Sequence, residues 1–123
     1  NRNDQVFTFT ENTGYFRLGP KTIIVPEETD LHQNYPNPFN PSTTIKYDIG
    51  LLDGLEQKVS VSVYNIIGQH VATLVNNDSQ VGQFYVKWDG ADKFGKMLPS
   101  GIYFVQLRTD TGIIKNKKMM FLK

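Results

Sequence analysis

Residues 31–45, LHQNYPNPFNPSTTI, limit the fold more than any other stretch of this chain. Pro36, Pro38 and Pro41 lie inside it and Pro26 just upstream, four of the six prolines in the sequence. Each proline fixes φ and removes a backbone donor. The residues before them, Tyr35, Asn37 and Asn40, are pushed toward extended or turn geometry, so helix is excluded. The side chains of Asn34, Asn37 and Asn40 suit successive turns closed on their own backbone, and Tyr35 and Phe39 stand out as large apolar anchors. A segment this stiff has little freedom left to lose when its aromatics dock. It is expected to lie as a clamp against a folded domain, with the first regular strand starting at Thr43.

From Thr43 the pattern is β throughout. Ile45, Tyr47 and Ile49 alternate with polar residues, and Val59, Val61 and Val63 form the clearest half-buried strand. Gly68 ends that strand, residues 70–75 follow as its hairpin partner, and residues 76–79 (NNDS) read as a loop. Phe84, Val86 and Trp88 share one strand face, as do Tyr103, Val105 and Leu107. A long connection over 89–99 leaves room for a short strand at 96–98, and a last strand ends near Leu122. No segment shows a 3.6-residue apolar repeat. Short strands at regular spacing predict an all-β fold, an immunoglobulin-like antiparallel β-sandwich of about seven strands. Burying Trp88, the only tryptophan, removes on the order of 200 Å² from water, which places it at the centre of the core.

Upstream, residues 6–10 alternate as a strand, residues 11–14 carry turn chemistry, and residues 15–18 are suited to return as a partner. The β-branched run at 21–25 is closed by Pro26. Glu27, Glu28, Thr29 and Asp30 form a short acidic segment, a solvated linker by composition. Residues 1–30 are thus expected to be the tail of a preceding domain plus this linker, with a hairpin packed on the sandwich as the alternative, and residues 31–123 the sandwich itself. The polar start of the sequence carries no apolar leader, so an export signal is expected upstream, and no apolar run approaches the roughly 20 residues that span a bilayer as helix.

At 123 residues with a net charge of +1, no global field points to nucleic acid. Cysteine is absent, which removes disulfides and thiolate metal sites from consideration. The two histidines, His32 and His70, lack metal-ligand spacing, and Ser100 lacks a nucleophile elbow. No catalytic constellation is present, so no enzymatic role and no cofactor are expected. Asp89, Asp92 and Gly95 have the outline of a calcium loop without its closing glutamate, and read better as a turn. Tyr35, Tyr85 and Phe104 are the aromatics best placed for exposure on a sugar-binding surface. Residues 111–123 carry four lysines and no acid. Such a strand serves either as a lysine-guarded edge or as a docking edge.

The NYPNPFNPSTTI motif (34–45) resembles the opening block of the C-terminal sorting domain used by the type IX secretion system of Bacteroidetes-related bacteria. Residues 61–74 (VSVYNIIGQHVATL) resemble its second block. Residues 88–92 (WDGAD) with Gly95, then 100–103 (SGIY), resemble its third, which is also similar to the immunoglobulin-like half of flagellar hook-capping proteins. The basic-apolar end, 117–123, resembles the terminus of such domains, so the likeness covers 31–123. It implies a non-catalytic module that directs a covalently fused upstream cargo through the periplasm and the outer-membrane secretion machinery to the cell surface. A sortase-like protease would then remove it, cutting at the exposed linker of Glu27, Glu28, Thr29 and Asp30. The residues it singles out for recognition are Asn34, Tyr35, Pro36, Asn37, Pro38, Phe39, Asn40, Pro41, Gly101, Tyr103, Lys117, Lys118 and Lys123. The alternative is a retained carbohydrate-binding or structural sandwich of a multidomain extracellular enzyme.

Overall fold

The alternating sequence pattern resolves into two antiparallel sheets packed face to face. A computed structural model describes the backbone of residues 4–13 and 16–123, and side chains from residue 26 onward. One sheet has three strands in the order β3-β4-β7: β3 (Asp30–Leu31), β4 (Thr43–Ile49) and β7 (Gly82–Trp88). The other has four in the order β6-β5-β8-β9: β5 (Gln57–Asn65), β6 (His70–Gln80), β8 (Gly101–Thr109) and β9 (Ile114–Phe121). These seven strands are the expected sandwich. Two further strands, β1 (Asp4–Thr13) and β2 (Phe16–Pro26), pair as an antiparallel hairpin, and β2 runs close to β7 and β4.

Period-two burial explains the strands. In β4, Thr43, Ile45, Tyr47 and Ile49 are buried while Thr44, Lys46 and Asp48 are half-buried. Val59, Val61 and Val63 of β5 and Val105 and Leu107 of β8 are fully buried against them. The register pairs Val61 with Leu107 and Val63 with Val105, so valine and leucine of adjacent strands form a continuous inner surface. Burying each such side chain contributes about 1.5–3 kcal/mol.

Trp88 is 2% exposed, and as the last residue of β7, opposite Thr43 at the start of β4, it lies at one end of the sandwich rather than in its middle. Its ring packs 5.5 Å from Phe39, 5.4 Å from Tyr103 and 6.3 Å from Phe121, and its Nε1–H donates to the Ala91 carbonyl at 2.9 Å. The valine-rich layer and this aromatic layer together form one core.

Three segments differ from the sequence reading. Residues 76–79 continue β6 as an exposed edge strand, with register shifts against β5 and Asn77 in the left-handed region at φ 54°. Their polarity reflects exposure on an edge, and the Asn77 N–H is satisfied by Ser60 Oγ. The stretch 96–98 forms one bridge, Ala91 to Met97, instead of a strand. In the hairpin, residues 11–13 extend β1 instead of turning, and the two upstream β segments merge into the single strand β2.

Residues 27–30 differ too. Glu27 and Glu28 are exposed, as a solvated linker requires, but Thr29 is buried. Its Oγ1 accepts from the Gly50 N–H at 3.1 Å and from Gln57 Nε2 at 3.0 Å. A Cβ on Gly50 would sit 2.9 Å from the Pro26 carbonyl oxygen, so this crossing needs glycine.

Two predictions follow from the packing. Trp88→Ala should cost about 3–5 kcal/mol of stability by urea denaturation, and a loss under about 1 kcal/mol would contradict its place in the core. Burial raises the Tyr47 phenol above its ordinary value of 10.0, with Asp78 adding to the shift, and burial raises that of Tyr103 as well. Because the fold favours the neutral phenol, this contribution is complete below about pH 10. It is lost as pH rises through the folded-state value. Tyr47→Phe should therefore flatten the alkaline fall in urea midpoint, despite losing the Tyr47 Oη–H donation to Gln80 Oε1 (2.9 Å).

Candidate functional site

The proline-rich segment and the terminal strand form one unit. After β3 the chain runs beside β4: His32 N–H donates to the Lys46 carbonyl, and Tyr35 exchanges both backbone bonds with Thr44 at 2.9 Å. Asn34 is 2% exposed and closes the turn from inside. Its Nδ2 donates to the Pro36 carbonyl (3.1 Å) and to Thr43 Oγ1 (3.0 Å), and Thr43 Oγ1–H donates to the same carbonyl at 2.9 Å. The Tyr35–Pro36, Asn37–Pro38 and Asn40–Pro41 bonds are cis.

The chain then crosses to β9. Asn37 Oδ1 accepts from the Met120 N–H at 2.9 Å. Phe39 forms a parallel bridge with Phe121: its N–H donates to the Met120 carbonyl and its carbonyl accepts from the Leu122 N–H, both at 3.0 Å. Gln33 Nε2 donates to the Lys118 carbonyl at 2.7 Å. The clamp thus covers the outer edge of β9 from Lys118 to Leu122. Its anchor is Phe39, 1% exposed and stacked on Phe121 with centroids 4.9 Å apart and planes at 13°.

Several sequence-predicted residues converge here. Tyr103 is buried, edge-on to Trp88, and its hydroxyl donates to the Pro99 carbonyl at 2.7 Å, which resembles the tyrosine corner of immunoglobulin-like sandwiches. Gly101 opens β8 opposite Phe121. Lys117 and Lys118 are exposed on β9, and the Lys123 N–H is held by Ser100 Oγ at 2.8 Å. Pro36, Asn37, Pro38, Asn40 and Pro41 lie at the surface. Tyr35 does not act as an anchor: it is 81% exposed, because its bridge to Thr44 turns its side chain to the outer face. Residues 27–30 are not part of this unit and lie at the opposite end of the sandwich, beside the turn after Gly50 and the start of β9.

Gly90 was not singled out by sequence. A Cβ there would meet the Phe121 ring at 2.7 Å, and its φ is +78°, so this turn both requires glycine and presses on the clamp's partner. The signal was a glycine two residues after Trp88, which spacing alone could not connect to Phe121.

Asp89 Oδ1 accepts from the Ala91 N–H, and Asp92 Oδ1 accepts from the Phe94 and Lys96 N–H groups. These are turn-closing bonds. His32 Nε2 lies 2.7 Å from Asp48 Oδ2, and His70 Nε2 lies 2.8 Å from Thr73 Oγ1.

A family model for the FlgD Ig-like domain matches residues 42–112, well over half of the sequence. The chain belongs to the FlgD Ig-like domain family. The matched stretch begins directly after Pro41, the last proline of the clamp, and ends before β9, so Phe39 and Phe121, which pack on each other, flank it on either side. No curated protein matches this FlgD Ig-like chain. Among solved structures, PorU of Porphyromonas gingivalis, described as dimeric and latent, is similar over 99% of this chain and 12% of its own, with 20% identity and a TM-score of 0.60. PorZ of the same organism, described as an essential bacterial surface component of the type IX secretion system, is similar over 76% of this chain and 11% of its own, with 20% identity and a TM-score of 0.52. At that identity the likeness is one of fold, and this chain spans about an eighth or less of either protein.

Two outcomes are expected. Phe39→Ala should cost about 3–5 kcal/mol and should raise hydrogen exchange at Met120 and Leu122, whose amide partners lie in the clamp. Unchanged exchange at these amides would separate clamp from strand. Since the Asp89 and Asp92 carboxylates already serve the backbone, added Ca²⁺ or a chelator should leave the melting temperature unchanged, and a rise with Ca²⁺ would make this a metal loop.

Proposed function

We propose that this chain is a C-terminal sorting and anchoring domain of the type IX secretion system, non-catalytic itself, fused to an upstream cargo that it directs through the periplasm and outer membrane to the cell surface. The observation that carries this reading is the bonding of the clamp to β9. The clamp through Pro41, with Phe39, and the whole of β9 lie outside the FlgD Ig-like match. Both belong to the motif blocks that resemble the sorting family, and Phe39 joins them through two backbone bonds and a ring stack. The fold likeness to PorZ and PorU supports it. The unit presents machinery with a fixed shape: an exposed proline turn, exposed Tyr35, and a strand whose lysines face water while Met119 and Phe121 fill the core.

A sortase-like protease acting upstream has a narrow target. Thr29 is buried and Asp30 is paired in β3, so the accessible bonds lie around Glu27 and Glu28, in the segment that also separates cargo from sandwich.

Deleting 117–123 would remove buried Met119 and Phe121 and unfold the sandwich, so charge is better tested separately. A reporter fused to residues 27–123 should reach the surface of a host with this system. The combined Lys117→Gln, Lys118→Gln and Lys123→Gln variant should fold with unchanged melting temperature yet accumulate in the periplasm. Equal surface export of folded wild type and variant would remove the lysines from recognition, and failure of the wild-type fusion to export would overturn the sorting function. In that case the exposed Tyr35 and Tyr85, which share the outer face of the three-stranded sheet, favour a retained glycan-binding module, tested by glycan pull-down.

A further inference from the structure

The end of the sandwich that holds the clamp also displays large apolar side chains on separate loop tips. The β5–β6 turn presents Ile66 and Ile67, 67% and 73% exposed. The turn is held rigidly: Asn65 Oδ1 accepts from the Ile67 and Gln69 N–H groups, and the Gly68 N–H donates to the Asn65 carbonyl. The isoleucines are therefore fixed outward, not folded back. The loop after β7 presents Phe94, 83% exposed, and is tied to the same end by the bond from the Lys93 N–H to the Val71 carbonyl at 2.8 Å.

Charge is polarised along the same axis. Lys87, Lys93, Lys96, Lys118 and Lys123 are exposed at this end, and among the described residues none makes an ion pair. The acids here, Asp89 and Asp92, are tied into turns. At the opposite end, among the described residues, Glu27, Glu28, Asp30, Asp53, Glu56 and Asp110 outnumber Lys58 and Lys115. The Lys93 ammonium sits 5.7 Å from the centre of the Phe94 ring, so cation and apolar tip are adjacent.

We propose that this end docks on an anionic lipid surface, with Ile66, Ile67 and Phe94 entering the headgroup boundary and the lysines on the phosphates. Ile66 borders a groove lined by Tyr64, Phe104, Gln106 and Arg108, but Ile67 and Phe94 do not line it and stand on two separate convex tips. A fluid interface accepts such tips individually, and lysines beside them gain from its negative potential. The acidic far end turns the molecule so that this end approaches first. The proposal does not depend on the sorting reading, since it needs only the lipid surface.

The test is co-sedimentation of the full chain with vesicles of phosphatidylcholine plus phosphatidylglycerol, against phosphatidylcholine alone. Binding is expected only to the anionic vesicles and should weaken with salt. The combined Ile66→Ser, Ile67→Ser and Phe94→Ser variant, all exposed positions that leave the core intact, should bind at least about tenfold more weakly. Lys93→Gln with Lys96→Gln should lose about fivefold per lysine, whereas Lys58→Gln at the far end should bind as wild type. Absence of anionic-vesicle binding overturns the proposal. So does binding that the serine variant retains in full, or capture by polyglutamate beads as strong as by vesicles and equally indifferent to the serines, since either would make this end a site for acidic protein.

Discussion

The contact between Phe39 and Phe121 holds the rest of the structure in place. It is made by backbone and side chain at once: two hydrogen bonds bracket Phe39 between Met120 and Leu122, and the two rings stack within the core. Without it, the aromatic layer would lose its shortest ring contact, and the outer edge of β9 would expose donors and acceptors to solvent or to another chain. The prolines matter because they leave the segment few conformations besides the one that reaches this edge. Edge protection, core filling and ordering of the terminal strand are thus one interaction, spanning about eighty residues of sequence.

The two layers of the core divide the work. Val59, Val61, Val63, Val105 and Leu107 form a regular, fully buried inner surface. Trp88, Tyr103, Phe121 and Phe39 form the closing layer, each polar handle satisfied by a nearby backbone carbonyl. Gly90 permits the turn above that layer, because any side chain there would collide with Phe121. The FlgD Ig-like match covers the first layer and much of the second, but neither Phe39 nor Phe121.

Much of the fold was legible because alternation is a local property. Ile45, Tyr47 and Ile49 announce their face without reference to any distant residue. What escaped the sequence depends on context. Residues 76–79 look like a loop since polar composition marks exposure, and an exposed edge strand shares that composition. Thr29 looks solvated beside three acids, yet its hydroxyl completes a buried bond pair with Gly50 and Gln57. In the candidate site, the stiffness of the proline segment could be read, but not which aromatic faces inward. Irregular backbone has no period, so Tyr35 and Phe39 were equivalent until the bridge to Thr44 turned one outward. The partnership of Phe39 with β9 had no local signature at all.

The position of β9 in the chain has a consequence for synthesis. As β9 emerges after every other strand of the sandwich, the residues that complete the aromatic layer reach the nascent domain last. Phe39, Trp88 and Tyr103 must wait, partly unpacked, until Phe121 has cleared the ribosome. Only then can the proline segment close over its strand, so the sandwich completes its fold only once its own last strand has been made.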